Sequence, residues 1–142
     1  MSKTNSLENS LLMMLFNATA IANVADNAAS SPLTNLYVSL HTADPGEAGS
    51  QTTNECTYGS YARVAVARSG AGWTVASNSV SPAAQINFPE ATGGTETATH
   101  FGVGSLTSGA GVLYYKGTIT PNIAISSGVT PALTTATAIT ED

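Results

Sequence analysis

The stretch LYVSLHTADPGEAGSQTTNECTYGSYARVAVARS, residues 36–69, decides the reading of this chain. Leu36, Val38 and Leu40 alternate with Tyr37, Ser39 and His41, the period of a half-buried strand. Asp44-Pro45-Gly46 then breaks the strand as a turn. Small and polar residues run on to Ser60, after which Tyr61, Arg63, Ala65 and Ala67 alternate with Ala62, Val64, Val66 and Arg68. Two strands joined by so long a loop are unusual: loops beyond about 12–15 residues are mostly functional or disordered. No residue pattern in this loop is catalytic. The expectation is a surface that meets a partner, on a structural protein.

Working outward, the N-terminal side predicts a helix over 6–27. Asn5 or Ser6 is placed to cap it, with Glu8 three residues after Asn5. Leu7, Leu11, Met14, Leu15, Ala18, Ala22 and Ala25 share a face, which Leu12, Met13, Phe16 and Ile21 widen. Packing on the chain's own sheet accounts for one side of such a helix. Burial against a second chain would account for the rest, with Leu11, Met14, Leu15 and Phe16 as interface candidates. Pro32 ends the segment, so residues 1–31 read as helix and linker, and 32–142 as a β-sandwich domain.

Strands are expected near 36–42, 61–68, 72–76, 79–81, 84–88, 97–104, 111–119, 122–126 and 134–140. Gly- and Ser-rich turns such as Ser69-Gly70-Ala71-Gly72 and Ser108-Gly109-Ala110-Gly111 separate them. Short strands at this spacing predict a mainly β fold, an antiparallel sandwich with an N-terminal helix. Trp73, Phe88, Phe101, Leu113, Tyr115 and Ile119 are expected in its core. Gly102 and Gly104 within a strand predict a close backbone approach or a bulge.

Composition narrows the function. Only 9% of the 142 residues are charged, and the net charge is −5 with four Lys plus Arg. A surface built for nucleic acid or anionic lipid needs clustered cations, which are absent here. One cysteine excludes an intrachain disulfide. No run reaches the roughly 20 apolar residues of a membrane span. The opening MSKTNSLENS lacks a signal-peptide pattern, so synthesis in the cytoplasm is expected.

Chemistry is sought and not found. Two histidines and one cysteine are too scattered for a zinc site, and the loop acids Asp44, Glu47 and Glu55 lack the alternation of a calcium loop. There is no G-x-S-x-G elbow and no phosphate loop. The expectation is no enzyme, no cofactor and no metal. Arg63 and Arg68 lie five apart on a strand and face opposite ways, so at least one is a candidate to pair with a carboxylate across an interface. A sugar-binding site would want exposed aromatics beside carboxylates. Tyr58 and Tyr61 near Glu55 are the cluster of that type visible in sequence, and packing explains them as well. Asp44, Glu47, Glu55, Tyr58, Arg63 and Arg68 complete the interface candidates.

The runs 36–49 (LYVSLHTADPGEAG) and 61–68 (YARVAVAR), followed by GWTV, INFPEATGG, ATHFGVG and SGAGVLYYKG, resemble a family of small tailed-phage virion proteins often labelled phage tail fiber protein. The similarity extends over nearly the whole chain. It implies a structural part of a phage particle, made in the bacterial cytoplasm. A chain this short, without heptads or repeats, has no fiber shaft. Its size and β content are more similar to the cement (decoration) proteins of short-tailed phage heads. That resemblance implies a jelly-roll on the outside of the capsid that stabilises contacts between capsomers. It implies the major capsid protein as partner and a homodimer, with no direct nucleic acid and no membrane. A tail fiber or fiber-base protein for host attachment is the alternative.

Overall fold

The computed structural model describes residues 3–21 and 32–141. Among these residues one helix, α1 (Asn5–Asn17), precedes nine strands: β1 (Asn35–His41), β2 (Val64–Ala67), β3 (Trp73–Ala76), β4 (Ser79–Pro82), β5 (Ile86–Asn87), β6 (Glu96–Gly104), β7 (Leu113–Ile125), β8 (Ala132–Leu133) and β9 (Ile139–Thr140). Where pairing is defined between strands it is antiparallel, so the mainly β expectation with an N-terminal helix holds. The strands make sheets in the orders β2-β1-β6-β7, β3-β4-β9 and β5-β8. The chain divides into two compact units, one of residues 1–35, 66–85 and 134–142, the other of 36–65 and 86–133.

The first unit joins α1 to the sheet β3-β4-β9. Thr4 caps the helix, its Oγ1 accepting the Leu7 N–H at 3.4 Å, one residue earlier than the expected Asn5. Predicted to run to residue 27, the helix stops at Asn17. Ala18 adopts a left-handed conformation (φ 53°), and the N–H of Thr19 turns back to the Met13 carbonyl. The remainder of the predicted helix, 22–27, lies outside the described residues.

The face that α1 buries also differs from the predicted stripe. Glu8, Leu12 and Phe16, spaced by four, point inward, while Leu7 is exposed and Leu11, Met14 and Leu15 are half-buried. Phe16 sets this rotation. Its ring meets Trp73 edge-on, with centroids 4.7 Å apart and planes at 68°. Trp73 is 2% exposed, as expected of the chain's single tryptophan.

The second unit is built on β1, β6 and β7. Register runs from Tyr37 opposite Gly104 to His41 opposite His100, and from His100 opposite Thr118 to Gly104 opposite Leu113. Irregularities fall at Ala98/His100 and at Val103/Gly104. The two predicted strands 111–119 and 122–126 are one strand, β7. Pro121, which separates them in sequence, lies on the outermost strand of the sheet, where a missing N–H removes no ladder bond on the free side. Phe88, Phe101 and Ile119 are buried as expected, whereas Leu113 and Tyr115 are half-buried.

Replacing Trp73 by Ala removes the ring against which Phe16 packs. The expected cost is about 3–5 kcal/mol, enough to unfold a marginal unit. A denaturant melt of Trp73→Ala checks it: an unchanged midpoint would show that the contact is not needed.

Candidate functional site

The long loop 42–60 is not a free arm. Thr42 N–H donates to the Asn54 carbonyl (2.8 Å), Cys56 N–H to Leu40 (2.9 Å) and Gln51 N–H to Ala110 (2.8 Å). The loop thereby folds over the face of β1 that the alternation assigns to solvent. Ser39 and His41 are fully buried as a result, a correction to the half-buried strand. His41 Nδ1 donates to the Thr53 carbonyl at 2.8 Å, which leaves Nε2 to accept from the Ser39 hydroxyl at 2.9 Å. The fully buried Gln51 side chain accepts the Leu106 N–H at 2.9 Å and lies against Gly104. A Cβ at Gly104 would land on that side chain, and one at Gly102 would come within 2.8 Å of His41 Nε2 and Ser39 Oγ. The two strand glycines are thus sites of close approach, as their position predicts.

Glu55 and Arg63 lock the loop from beneath. The guanidinium takes both carboxylate oxygens, Nε to Oε1 at 2.6 Å and Nη2 to Oε2 at 2.8 Å. Nη1 donates to the Leu106 carbonyl (2.9 Å) and Nη2 also to that of Gly109 (2.7 Å). The side chains are 2% and 13% exposed for Arg63 and Glu55. Tyr61 adds a third arm. Its hydroxyl donates to Glu55 Oε1 at 2.8 Å and accepts the Leu40 N–H at 3.1 Å. Burial pushes the Tyr61 phenol well above its usual range. Tyr58 is buried edge-on to Tyr61 at 5.3 Å, its hydroxyl donates to the Pro89 carbonyl, and burial raises it to about 12. Burial, then the carboxylates of Glu96 and Glu55, raise the Cys56 thiol to about 12, which makes it a passive core residue.

These contacts relocate the predicted interface residues. The carboxylate partner of Arg63 is Glu55 of the same chain. Arg68 donates to the carbonyls of Leu15 and Met14, both at 2.6 Å, and so closes the end of α1, whose last turn has no basic residue of its own. Phe16 and Tyr58 are core residues, and Leu11, Met14 and Leu15 stay half-buried on α1.

Asp44 and Glu47 remain at the surface. Asp44 Oδ1 accepts the Gly46 N–H at 2.8 Å, and the carboxylates of Asp44 and Glu47 hold Lys116 Nζ at 3.1 and 3.2 Å. The Gly46 N–H, then Lys116, hold the Asp44 carboxyl below its usual range, and the two acids raise Lys116. Beside this triad runs an open groove of about 320 Å³ between the Gly46–Gly49 turn and the first residues of β7, with Glu47, Tyr114, Tyr115 and Lys116 on its walls. The sequence reading missed it because Lys116 and Asp44 are 72 residues apart. The exposed Tyr114 was the signal available. Among the described residues no group of three or more His, Cys, Asp or Glu is placed to hold a metal. No helix among them is long and apolar enough to cross a membrane.

Fold and site together define a small, mainly antiparallel β protein with a short N-terminal helix, an internally braced loop and an open polar groove. The chain belongs to the family described as Podophage GP4 fiber I protein gp80, whose model matches residues 2–140, and so to the structural proteins of bacteriophages. No curated protein matches it.

Two outcomes follow from the bracing. Arg63→Met leaves the Glu55 carboxylate unpaired, at an expected cost of about 3–5 kcal/mol. The double variant Arg63→Met/Glu55→Leu should recover part of that in a double-mutant cycle of urea melts, and strict additivity would disprove the coupling.

The second outcome concerns pH. Burial, partly opposed by the Thr53 carbonyl and Glu55 and aided by Arg63 and His100, holds folded His41 below its ordinary value of 6.5. Between the two values the unfolded chain binds the extra proton. Stability is therefore full above about pH 6.5 and falls as the pH drops, by at most about 1.4 kcal/mol per unit. His41→Gln should flatten that slope in melts between pH 7 and 5. An equal slope in the variant would assign the effect to other groups.

Proposed function

We propose that this chain is a tail fiber or fiber-base component of a podophage virion that contributes to host attachment. The match of residues 2–140 to a family described as a podophage fiber protein carries this reading. The structure is compatible with such a role in physical terms. The conformation of the loop 42–60 is held by bonds within the chain, and the groove beside it stays open. A rigid, open surface displayed in several copies gains strength by avidity, which suits attachment to a repetitive cell surface.

A second reading rests on the short length and β content of the chain, which are more similar to the cement proteins of short-tailed phage heads. In it the chain decorates the outside of the head as a homodimer on the major capsid protein. Location and copy number separate the two. Immunogold labelling of purified virions should mark the tail, and densitometry should give a copy number that is a small multiple of the tail's rotational symmetry. Label spread over the head, with a stoichiometry near that of the major capsid protein, would replace the fiber reading by the cement reading.

A further inference from the structure

We infer that His41 is a proton-operated latch: uptake of a second ring proton releases residues 42–54 of the long loop from β1, while Glu55 and Arg63 hold the rest in place. This inference does not depend on where the chain sits on the virion. Its basis is the slot in which the ring lies. His41 ends β1 and is 0% exposed beneath the loop. Gly102 of β6, opposite Ser39 in register, leaves room for it. The ring accommodates one proton and has partners for one. Nδ1 donates to the Thr53 carbonyl, and Nε2 accepts from the Ser39 hydroxyl. A second proton turns Nε2 into a donor. Ser39 must then accept, and its own hydrogen has no other partner among the described residues. Ser39 is 0% exposed, so bulk water does not take that hydrogen up.

The charged groups around the ring do not compensate a second proton. From the loop, Glu55 pairs its backbone with that of His41, but Arg63 engages both of its carboxylate oxygens and Tyr61 takes Oε1 again. Arg63 itself, and His100 opposite His41 on β6, act against a further positive charge. Lys116, opposite Gly102 on β7, occupies Asp44 and Glu47. Burial, opposed by the Thr53 carbonyl and Glu55 and reinforced by Arg63 and His100, accordingly holds the folded ring below its ordinary 6.5. Opening relieves this conflict by bringing the ring to water. The bonds it breaks are few and adjacent: His41 to Thr53, the Thr42 N–H and hydroxyl to the Asn54 carbonyl, and the ties of Gln51 to Tyr37, Ala110 and Leu106. Glu55, next in sequence, stays on Arg63, so the opening stops there. The released stretch carries Asp44 and Glu47, and the surface beside β7 loosens with it in acid while the sheet stays paired.

The test is amide hydrogen exchange of the full chain, followed residue by residue by NMR from pH 7 to pH 5 and corrected for the intrinsic pH dependence of exchange. The open state binds a proton that the closed state resists, so protection should fall as the pH drops below about 6.5. Thr42, Gln51 and Leu106, whose N–H groups are bonded within or onto the loop, should lose protection by at most about tenfold per pH unit, the slope of one proton. Cys56, Phe88 and Ala91, bonded elsewhere in the same unit, should keep theirs. In His41→Gln the loss at Thr42 and Gln51 should disappear. Titration of the His41 ring in the unaltered chain gives an answer even if that variant does not fold: its midpoint should lie below 6.5 and track the loss of protection. Protection at Thr42 and Gln51 that does not change with pH would overturn the inference. So would an equal loss at Cys56, Phe88 and Ala91, a ring midpoint at or above 6.5, or an undiminished loss in a folded His41→Gln.

Discussion

The buried pair of Glu55 and Arg63 is the constraint on which the second unit depends. A guanidinium that is 2% exposed is tolerable only if its charge is paired and its nitrogens are hydrogen-bonded. Each of the three nitrogens of Arg63 finds an acceptor, in one carboxylate and two backbone carbonyls, which come from the loop 42–60 and from the turn after β6. Tyr61 extends the network to the backbone of β1. One side chain thus ties its own segment to the loop eight residues before it and to a turn 43 to 46 residues after it. The loop sits on the polar face of β1 because this network and Gln51 fasten it there, and Ser39 and His41 become core residues as a consequence.

Arg68 does comparable work in the first unit by a different means. Helix α1 ends without a cation of its own, and its terminal carbonyls need donors. Arg68 supplies two at 2.6 Å, and its charge is favourable at the negative end of the helix. Together with the contact of Phe16 and Trp73, this fixes which face of the helix is inward. Both arginines of the 61–68 segment therefore act within the chain.

What remains at the surface is accordingly informative. Asp44, Glu47 and Lys116 form an ion cluster that contributes little to stability, being exposed and screened. Its effect is to hold the Gly46–Gly49 turn beside the start of β7.

The sequence by itself determined the elements that depend on local pattern. Alternation in 36–41, turn residues at Asp44-Pro45-Gly46 and glycine-rich breaks placed most strands within a few residues, because side-chain period and turn chemistry are local. The close approaches at Gly102 and Gly104, and the burial of Trp73, Phe88 and Phe101, were legible for the same reason. Only the tertiary structure decided the rest. The rotation of α1 follows from Trp73, which lies beyond a linker, and its early end from the left-handed Ala18. Burial of Ser39 and His41 follows from a loop folding back, which a period-two pattern cannot reveal. Pairing of Arg63 with Glu55 rather than with a partner, and of Lys116 with Asp44 across 72 residues, depends on which backbones the sheet brings together. Charges act through space, and sequence separation says little about distance once strands have paired.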